Sequence, residues 1–417
     1  MTKPEETAVI EADQSIPDKK RVLEEEDSNE VQGNEKKRSG SKRKMALMVG
    51  YSGTGYHGLH HVAGTKTIED DIFKALCDAG CVDSFNQVKV GRACRTDKGV
   101  HAAANLLTAK VVGWQNSEEI VKKINEKLPP QIKLYITKGF DAKFCCSGRI
   151  YEYLLPTYLL KSNIESFEQG QSLLKESLEN ALNKKIERIT YDEINPTEIE
   201  EMKKYRIDAD TLTLLRDLLN RYVGTQSFHN FTRGLTFGQS RARRFHRSFT
   251  ASDPFMVGDT EYVSLKVDGQ AFLMHQIRKM IGFVVMIIRY KAKPEDIWDR
   301  AFGSAYVNIP RVPGLGLLLE QPFFKTYNCK AEKLEAQQKK KTNEFERVDF
   351  ADVSDQVDAF KHNVIYPTMM KAEVETNEYL ISDYDVSKDD EKLKELRSKL
   401  YKAVESDNEE DNAEDDS

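Results

Sequence analysis

Apolar residues recur along this chain with two spacings. In MALMVGYS, residues 45–52, they are nearly continuous, as in a buried strand. In TIEDDIFKALCDAG, residues 67–80, Ile68, Ile72, Phe73 and Leu76 return at helical spacing behind a Thr67 cap. The same reading gives strands at QVKVGRACR and NLLTAKVV, a helix at SEEIVKKINEKL, and strands at QIKLYITKG and RIYEYLLPT. A second block follows, with helices around 173–184 and 210–222, strands near 241–250 and 261–268, a long helix over 271–291 and a final strand at GLLLEQ. Two such blocks predict an α+β fold: two mixed α/β domains, 45–145 and 146–330, with largely antiparallel sheets forming a central cleft. Residues 1–44 lack apolar periodicity and cannot offset their ordering entropy by burial, so they read as a disordered tail of mixed charge. Residues 331–400 are charged and helix-prone and read as a C-terminal helical extension, and 401–417 as an acidic disordered tail.

Charge sharpens this division. Ten basic residues face eleven acidic ones in 1–44, twelve face seventeen in 331–400, and one faces eight in 401–417, so a net charge of −6 leaves about +7 for residues 45–330. A basic body between acidic flanks suits a polyanion such as nucleic acid, although a solvated surface carries such a charge as well. The run KKRSGSKRK, Lys36 to Lys44, reads as a nuclear import signal or an RNA-binding arm, or else as a plain solvated tail. The six cysteines, Cys77, Cys81, Cys94, Cys145, Cys146 and Cys329, contain no C-x-x-C pair and read as reduced thiols. Cys77 and Cys81 stand one helical turn apart, but without a second ligand pair they read as buried helix positions rather than a metal site. The longest apolar run, Met280 to Ile288, is nine residues, too short to cross a bilayer. The opening MTKPEETAVIEADQ is too acidic for a transit peptide.

Candidate chemistry is sparse and therefore informative. Gly53 to Gly58, GTGYHG, matches G-x-G-x-x-G after a strand, but no helix opens until about Thr67, so it reads as a glycine turn and not a dinucleotide loop. In CRTDKGVHAAAN, Asp97-Lys98-Gly99 is turn chemistry between two strands, which makes Asp97 project; a turn aspartate also serves as a simple backbone cap. FLMHQIRKMIGFVVMIIRY reads as a helix apolar on most sides, which leaves Arg278 or Lys279 partly buried, and a buried Arg278 guanidinium calls for a carboxylate partner. If that partner is Asp97, the pair keeps the acid ionised and aimed, as a nucleophile requires; another acid or solvent would satisfy Arg278 equally. Alternation places Arg149, Tyr151 and Tyr153 of RIYEY on one strand face, where aromatic surface beside positive charge suits a base drawn out of RNA, though strand tyrosines more often pack a core. In RARRFHR, Arg241, Arg243 and Arg247 would share a strand face and track phosphates.

Taken together, these segments resemble the TruA-type tRNA pseudouridine synthases of the eukaryotic, fungal nuclear branch, in the family's order over about residues 45–325. YSGTGYHG is similar to the family's first strand and turn, TIEDDIF to its first helix, and GTQSFHNFT and PGLGLLL to later segments, with Leu315 and Leu317 near the site. FKHNVIYP, Phe360 to Pro367, resembles the eukaryotic C-terminal extension. The resemblance implies an isomerase that converts uridine to pseudouridine, with Asp97 of RTDKGVHA in the nucleophile's position, Tyr151 of RIYEY stacked on the target uracil and Arg278 of HQIRKMIG paired with the aspartate. Arg95, Lys98, Arg149, Arg241, Arg243 and Arg247 are the expected RNA contacts. No cofactor or metal is implied. The expected partner is tRNA, with other nuclear RNAs as further substrates; no membrane is expected, and a monomer is. The basic run before residue 45 points to the nucleus, with the mitochondrion as the alternative. Cys94 and His60 depart from the family's usual Gly or Ala and Gln at those positions. The rival reading is a non-catalytic RNA-binding or RNA-folding protein that uses the same basic cleft.

Overall fold

The computed structural model describes residues 42–83, 90–112, 117–139, 146–162, 196–336, 347–376 and 379. The expected helix at 173–184, Cys145 and most of both tails lie outside these residues. The strands are β1 (Arg43–Tyr51), β2 (Gly91–Arg92), β3 (His101–Val111), β4 (Ile132–Gly139), β5 (Gly148–Pro156), β6 (Gly224–Ser227), β7 (Arg243–Ala251), β8 (Phe255–Val257), β9 (Thr260–Gly269) and β10 (Leu317–Phe323). The α-helices are α1 (Ile68–Asp78), α2 (Ser117–Asn125), α3 (Pro196–Lys203), α4 (Ala209–Asn220), α5 (Gln276–Arg289), α6 (Pro294–Phe302), α7 (Lys325–Ala336), α8 (Ser354–Phe360) and α9 (Tyr366–Thr376).

The two blocks share one sheet, in the order β4-β1-β3-β10-β5-β9-β7-β6, with β2 on β3 and β8 on β9. All of its pairings are antiparallel except one: β10 runs parallel to β3, with Leu318 opposite His101 and Leu319 opposite Ala102. The last strand of the second block thereby stitches it to the first. Its other edge pairs with β5, Leu319 opposite Tyr151, so the Asp97 turn leading into β3 and the tyrosine strand lie two strands apart.

Local chemistry accounts for most boundaries. Helix α1 opens where the Asp70 carboxylate accepts from the backbone N–H and the hydroxyl of Thr67, at 2.9 and 2.7 Å. Cys81 lies beyond the end of that helix, not within it. Met280 to Ile288, in the helix that reads as apolar on most sides, is buried throughout, with α4 and the 3₁₀ turns at Thr157–Leu160 and His229–Phe231 packed against it. That helix begins at Gln276 instead of 271, since residues 270–275 form an irregular approach in which His275 takes a left-handed φ of 59°. Beyond the sheet, α8 and α9 continue through one π-helical turn, Lys361–Ile365, and α8 packs over β3 and β4. Among the described residues no helix is long and apolar enough to cross a membrane.

Candidate active site

The turn carrying Asp97 is fixed from three sides. Gly99 adopts φ +74° and the Val100 N–H returns to the Asp97 carbonyl at 3.1 Å, the turn that Asp-Lys-Gly requires. The glycine-rich segment after β1 presses against it: Leu59 N–H reaches the Thr96 carbonyl at 3.2 Å, and a Cβ on Gly58 would stand 2.7 Å from that same oxygen. The first and last glycines of G-x-G-x-x-G, Gly53 and Gly58, thus allow close backbone approach to the Asp97 turn, while Gly55 takes a left-handed φ of 80°. Beneath it, the buried Tyr51 hydroxyl lies 2.9 Å from Thr96 Oγ1, while Asn105 Nδ2 donates to Tyr51 Oη at 3.1 Å and to the Cys94 carbonyl at 3.2 Å. Burial, most of all, holds the Tyr51 phenol protonated. These neutral, fully enclosed bonds leave the Asp97 side chain exposed on a rigid base.

Arg149 completes the bracket from β5. Its Nε donates to Cys94 Sγ at 3.2 Å, one Nη to the Gln270 carbonyl at 3.0 Å and the other to the Ala93 carbonyl at 3.4 Å. The cysteine that departs from the family's small residue thus supplies an acceptor for this guanidinium. Tyr151 is part-buried, with its ring edge-on to Phe272 at 5.4 Å, and Phe272 stacks on His246 at 5.1 Å. Burial raises the Tyr151 pKa, helped by Cys94 and by the charge of Asp97, so the phenol stays neutral and within electrostatic reach of that carboxylate.

Arg278 comes from the first turn of α5. It pairs with neither Asp97 nor another acid: among the described residues neither Arg278 nor Asp97 forms an ion pair, and the half-buried Arg278 donates through Nε to the Val312 carbonyl at 2.7 Å. Gly282, one turn along, lets the Pro310 carbonyl lie on the helix where a Cβ would collide, which holds the Pro310–Val312 segment in place to receive that bond. The two charges nevertheless meet at His275. Burial lowers the His275 pKa, Arg311 and Arg278 lower it further, and Asp97 opposes them. A neutral His275 accepts from Arg311 at 3.2 Å through Nε2, and its Nδ1 is buried with no partner among the described residues.

The remaining expected contacts divide. Arg95, Lys98, Arg241 and Arg243 are exposed. Arg241 sits in a 3₁₀ turn, Ser240–Ala242, ahead of β7 and off the strand, and Arg247 is bonded to Asp268. Among the described residues no group of three His, Cys, Asp or Glu is placed to hold a metal. Reading motifs one at a time overlooks His275 and Arg311; the i, i+3 spacing of His275 and Arg278 was the available signal.

Residues 218–325, which include α5 and the Val312 segment, match the family described as tRNA pseudouridine synthase. The chain is 34% identical to tRNA pseudouridine synthase 1 of Schizosaccharomyces pombe, an alignment covering 89% of this chain and 91% of that protein. It is 37% identical to tRNA pseudouridine synthase 1 of Yarrowia lipolytica over 78% of this chain and 70% of the relative. It is 35% identical to the mouse pseudouridylate synthase 1 homolog over 80% and 71%. The chain belongs to the tRNA pseudouridine synthase family.

Proposed function

We propose that this chain isomerises uridine to pseudouridine in tRNA, with the Asp97 carboxylate as nucleophile toward a uridine flipped out of its stack. One observation carries the reading: an exposed carboxylate on a turn locked by buried bonds and a guanidinium from a distant helix bear on the same histidine, with a part-buried tyrosine in reach of the acid. Tyr151 packs against the target base. Arg278, anchored through Nε alone, keeps its Nη groups for Asp97 or the nucleotide. The reaction breaks the bond from uracil N1 to the ribose and forms one from C5. C5 loses its proton and N1 gains one, so the atoms balance without a co-reactant.

The basic body and the exposed Arg95, Lys98, Arg241 and Arg243 support RNA as the partner. Other nuclear RNAs are proposed as further substrates, the nucleus as the compartment on the strength of Lys36 to Lys44, and a monomer as the working form. Tritium release from tRNA labelled at uracil C5 tests the chemistry. The expected result is turnover by the parent and release slowed at least about 10³-fold by Asp97→Asn, with tRNA affinity kept. Equal release by both proteins removes Asp97 from the reaction. Tight tRNA binding with no release by the parent marks a non-catalytic RNA-binding protein.

A further inference from the structure

Beside the first turn of α5, the short 3₁₀ turn His229–Phe231 gathers groups that the proposed chemistry leaves unused. The turn is buried, and its polar atoms act as tethers. Asn230 Nδ2 donates to the carbonyls of Ala301 and Ala305 at 2.8 and 2.9 Å, and its Oδ1 accepts from the Val307 N–H at 3.1 Å, which fixes the strap bearing Tyr306. Thr232 Oγ1 donates to the Met274 carbonyl at 3.0 Å. The His229 ring meets Phe237 edge-on at 5.4 Å. Lys279 Nζ donates to the Asn230 carbonyl at 3.1 Å, and Arg233 stands two residues past the end of the turn. Three of the most exposed apolar side chains, Phe237 at 54%, Met274 at 63% and Tyr306 at 63%, are therefore held around one rigid turn.

The cations among them lack an anion. Arg233 and Lys279 form no ion pair among the described residues, and burial, with Arg233 and Arg311 nearby, brings Lys279 down to about 8. Cations that suppress one another's charge create local positive potential that an incoming anion relieves. Held aromatic rings with open faces beside them are the complement of a base, and the pair together is how proteins hold unpaired RNA: phosphate on cation, base on ring. Arg233 and Asp97 both act on His275, so this face adjoins the proposed site.

We propose that Arg233, Phe237, Met274, Lys279 and Tyr306 form a seat for an unpaired nucleotide flanking the target uridine, with its base against the Phe237 and Tyr306 rings and its phosphate at Arg233 and Lys279. The seat rests on the proposed function for its role in positioning the target, but not for its ability to bind RNA. The test is fluorescence titration with tRNA and with a labelled oligouridylate pentamer, run beside single-turnover tritium release. Phe237→Ala and Tyr306→Ala are each expected to weaken both RNAs roughly ten-fold. Phe237→Trp should restore binding, and Lys279→Met should lower the slope of log affinity against log salt by about one. Both rings are exposed, so the melting midpoint should not move. Unchanged RNA affinity in the two aromatic variants overturns the seat, including the case where they instead lose a protein partner. If the variants lose affinity as expected while the parent releases no tritium, the seat stands and the catalytic reading falls.

Discussion

Tyr151 and Glu152 are neighbours on β5, yet the two faces of that strand treat charge in opposite ways. On the Glu152 face, Lys361 of the π-helical turn places Nζ 3.2 Å from Glu152 Oε2 and 3.0 and 3.1 Å from the two oxygens of Glu320 on β10. Tyr366 donates to Glu152 at 2.9 Å, Ser264 donates to the same oxygen, and Lys266 reaches Glu320 at 3.1 Å. Only 6% of the Lys361 side chain and 2% of that of Glu152 is exposed. Burial opposes the Lys361 charge, but Glu152 and Glu320 outweigh it and raise its pKa. Burial also works against Glu152, and Lys361 with its other partners still holds its carboxyl below the ordinary value, whereas burial and Glu152 push Glu320 up. On the Tyr151 face, Asp97, Arg233, Arg278 and Lys279 are within one electrostatic neighbourhood, and none closes an ion pair among the described residues. Charges satisfied inside the chain bind the helical extension to β5, β9 and β10; charges left unsatisfied are those a ligand can use.

The sharpest way to break this contrast is to remove one cation from each face. Lys361→Met leaves two buried carboxylates facing each other and should cost about 3–5 kcal/mol in urea unfolding. The deficit should shrink as pH falls toward 5, because buried carboxyls whose folded pKa rises above the unfolded value recover stability by taking up protons. A loss under about 1 kcal/mol would show that the junction is no structural lock. Arg278→Met, which removes a single bond to a carbonyl, should instead leave unfolding within about 1 kcal/mol of the parent and slow tritium release about 10²-fold or more. Arg278→Lys should recover little, since an ammonium lacks the guanidinium fork. A stability loss with normal turnover would place Arg278 with the structural charges.

Lys279 gives a smaller effect with a definite sign. Burial, Arg233 and Arg311 lower it to about 8, so the free protein sheds this charge around that pH. A bound phosphate favours the ammonium, which makes RNA binding take up a proton and weaken as pH rises from about 7 to 9, by up to roughly ten-fold. For folding alone the sign is reversed: a lysine with a depressed pKa makes the unfolded chain bind more protons above about 8, so its penalty on stability is present below that pH and fades above it. Lys279→Met should flatten the binding profile. A parent profile that is already flat removes Lys279 from the RNA contact.

How far the sequence revealed this molecule follows from the range of each interaction. Strand β1, helix α1 and the Asp97 turn were legible because periodicity, a capping threonine and a glycine at positive φ act within a few residues. The mixed α and β blocks were legible too, but their fusion into one sheet was not, since the parallel contact of β10 with β3 joins residues more than two hundred positions apart. Lys361 and Glu152, 209 positions apart, left no local trace of their pairing, and FKHNVIYP could be placed only by resemblance. Arg278 was rightly singled out as a half-buried cation, but its acceptor is a backbone carbonyl 34 positions away, which no side-chain pattern encodes. His275 was missed because its left-handed backbone and its bond to Arg311 arise only once α5 meets the Val312 segment.

The smallest expected effect tests the contrast within a single strand. RARRFHR predicts three arginines on one face, but β7 begins at Arg243 and its register slips between His246, opposite Gly269, and Ser248, opposite Asp268. The slip re-aims Arg247 toward Asp268, which accepts from Nε at 2.8 Å through one carboxylate oxygen and keeps the other in ion-pair contact with Nη2 at 2.8 Å. Gly148 makes room for this, since a Cβ there would collide with Nη2. Arg247 thus belongs with the satisfied charges and Arg243 with the exposed ones. Arg247→Gln should cost no more than about 1 kcal/mol, as expected of a partly exposed pair, and leave the salt dependence of RNA binding alone. Arg243→Gln should leave stability alone and reduce the salt slope by about one. If the slope changes with Arg247 and not with Arg243, the bulge presents its guanidinium to RNA despite Asp268, and ion pairing within the chain ceases to separate structural from ligand-binding charge.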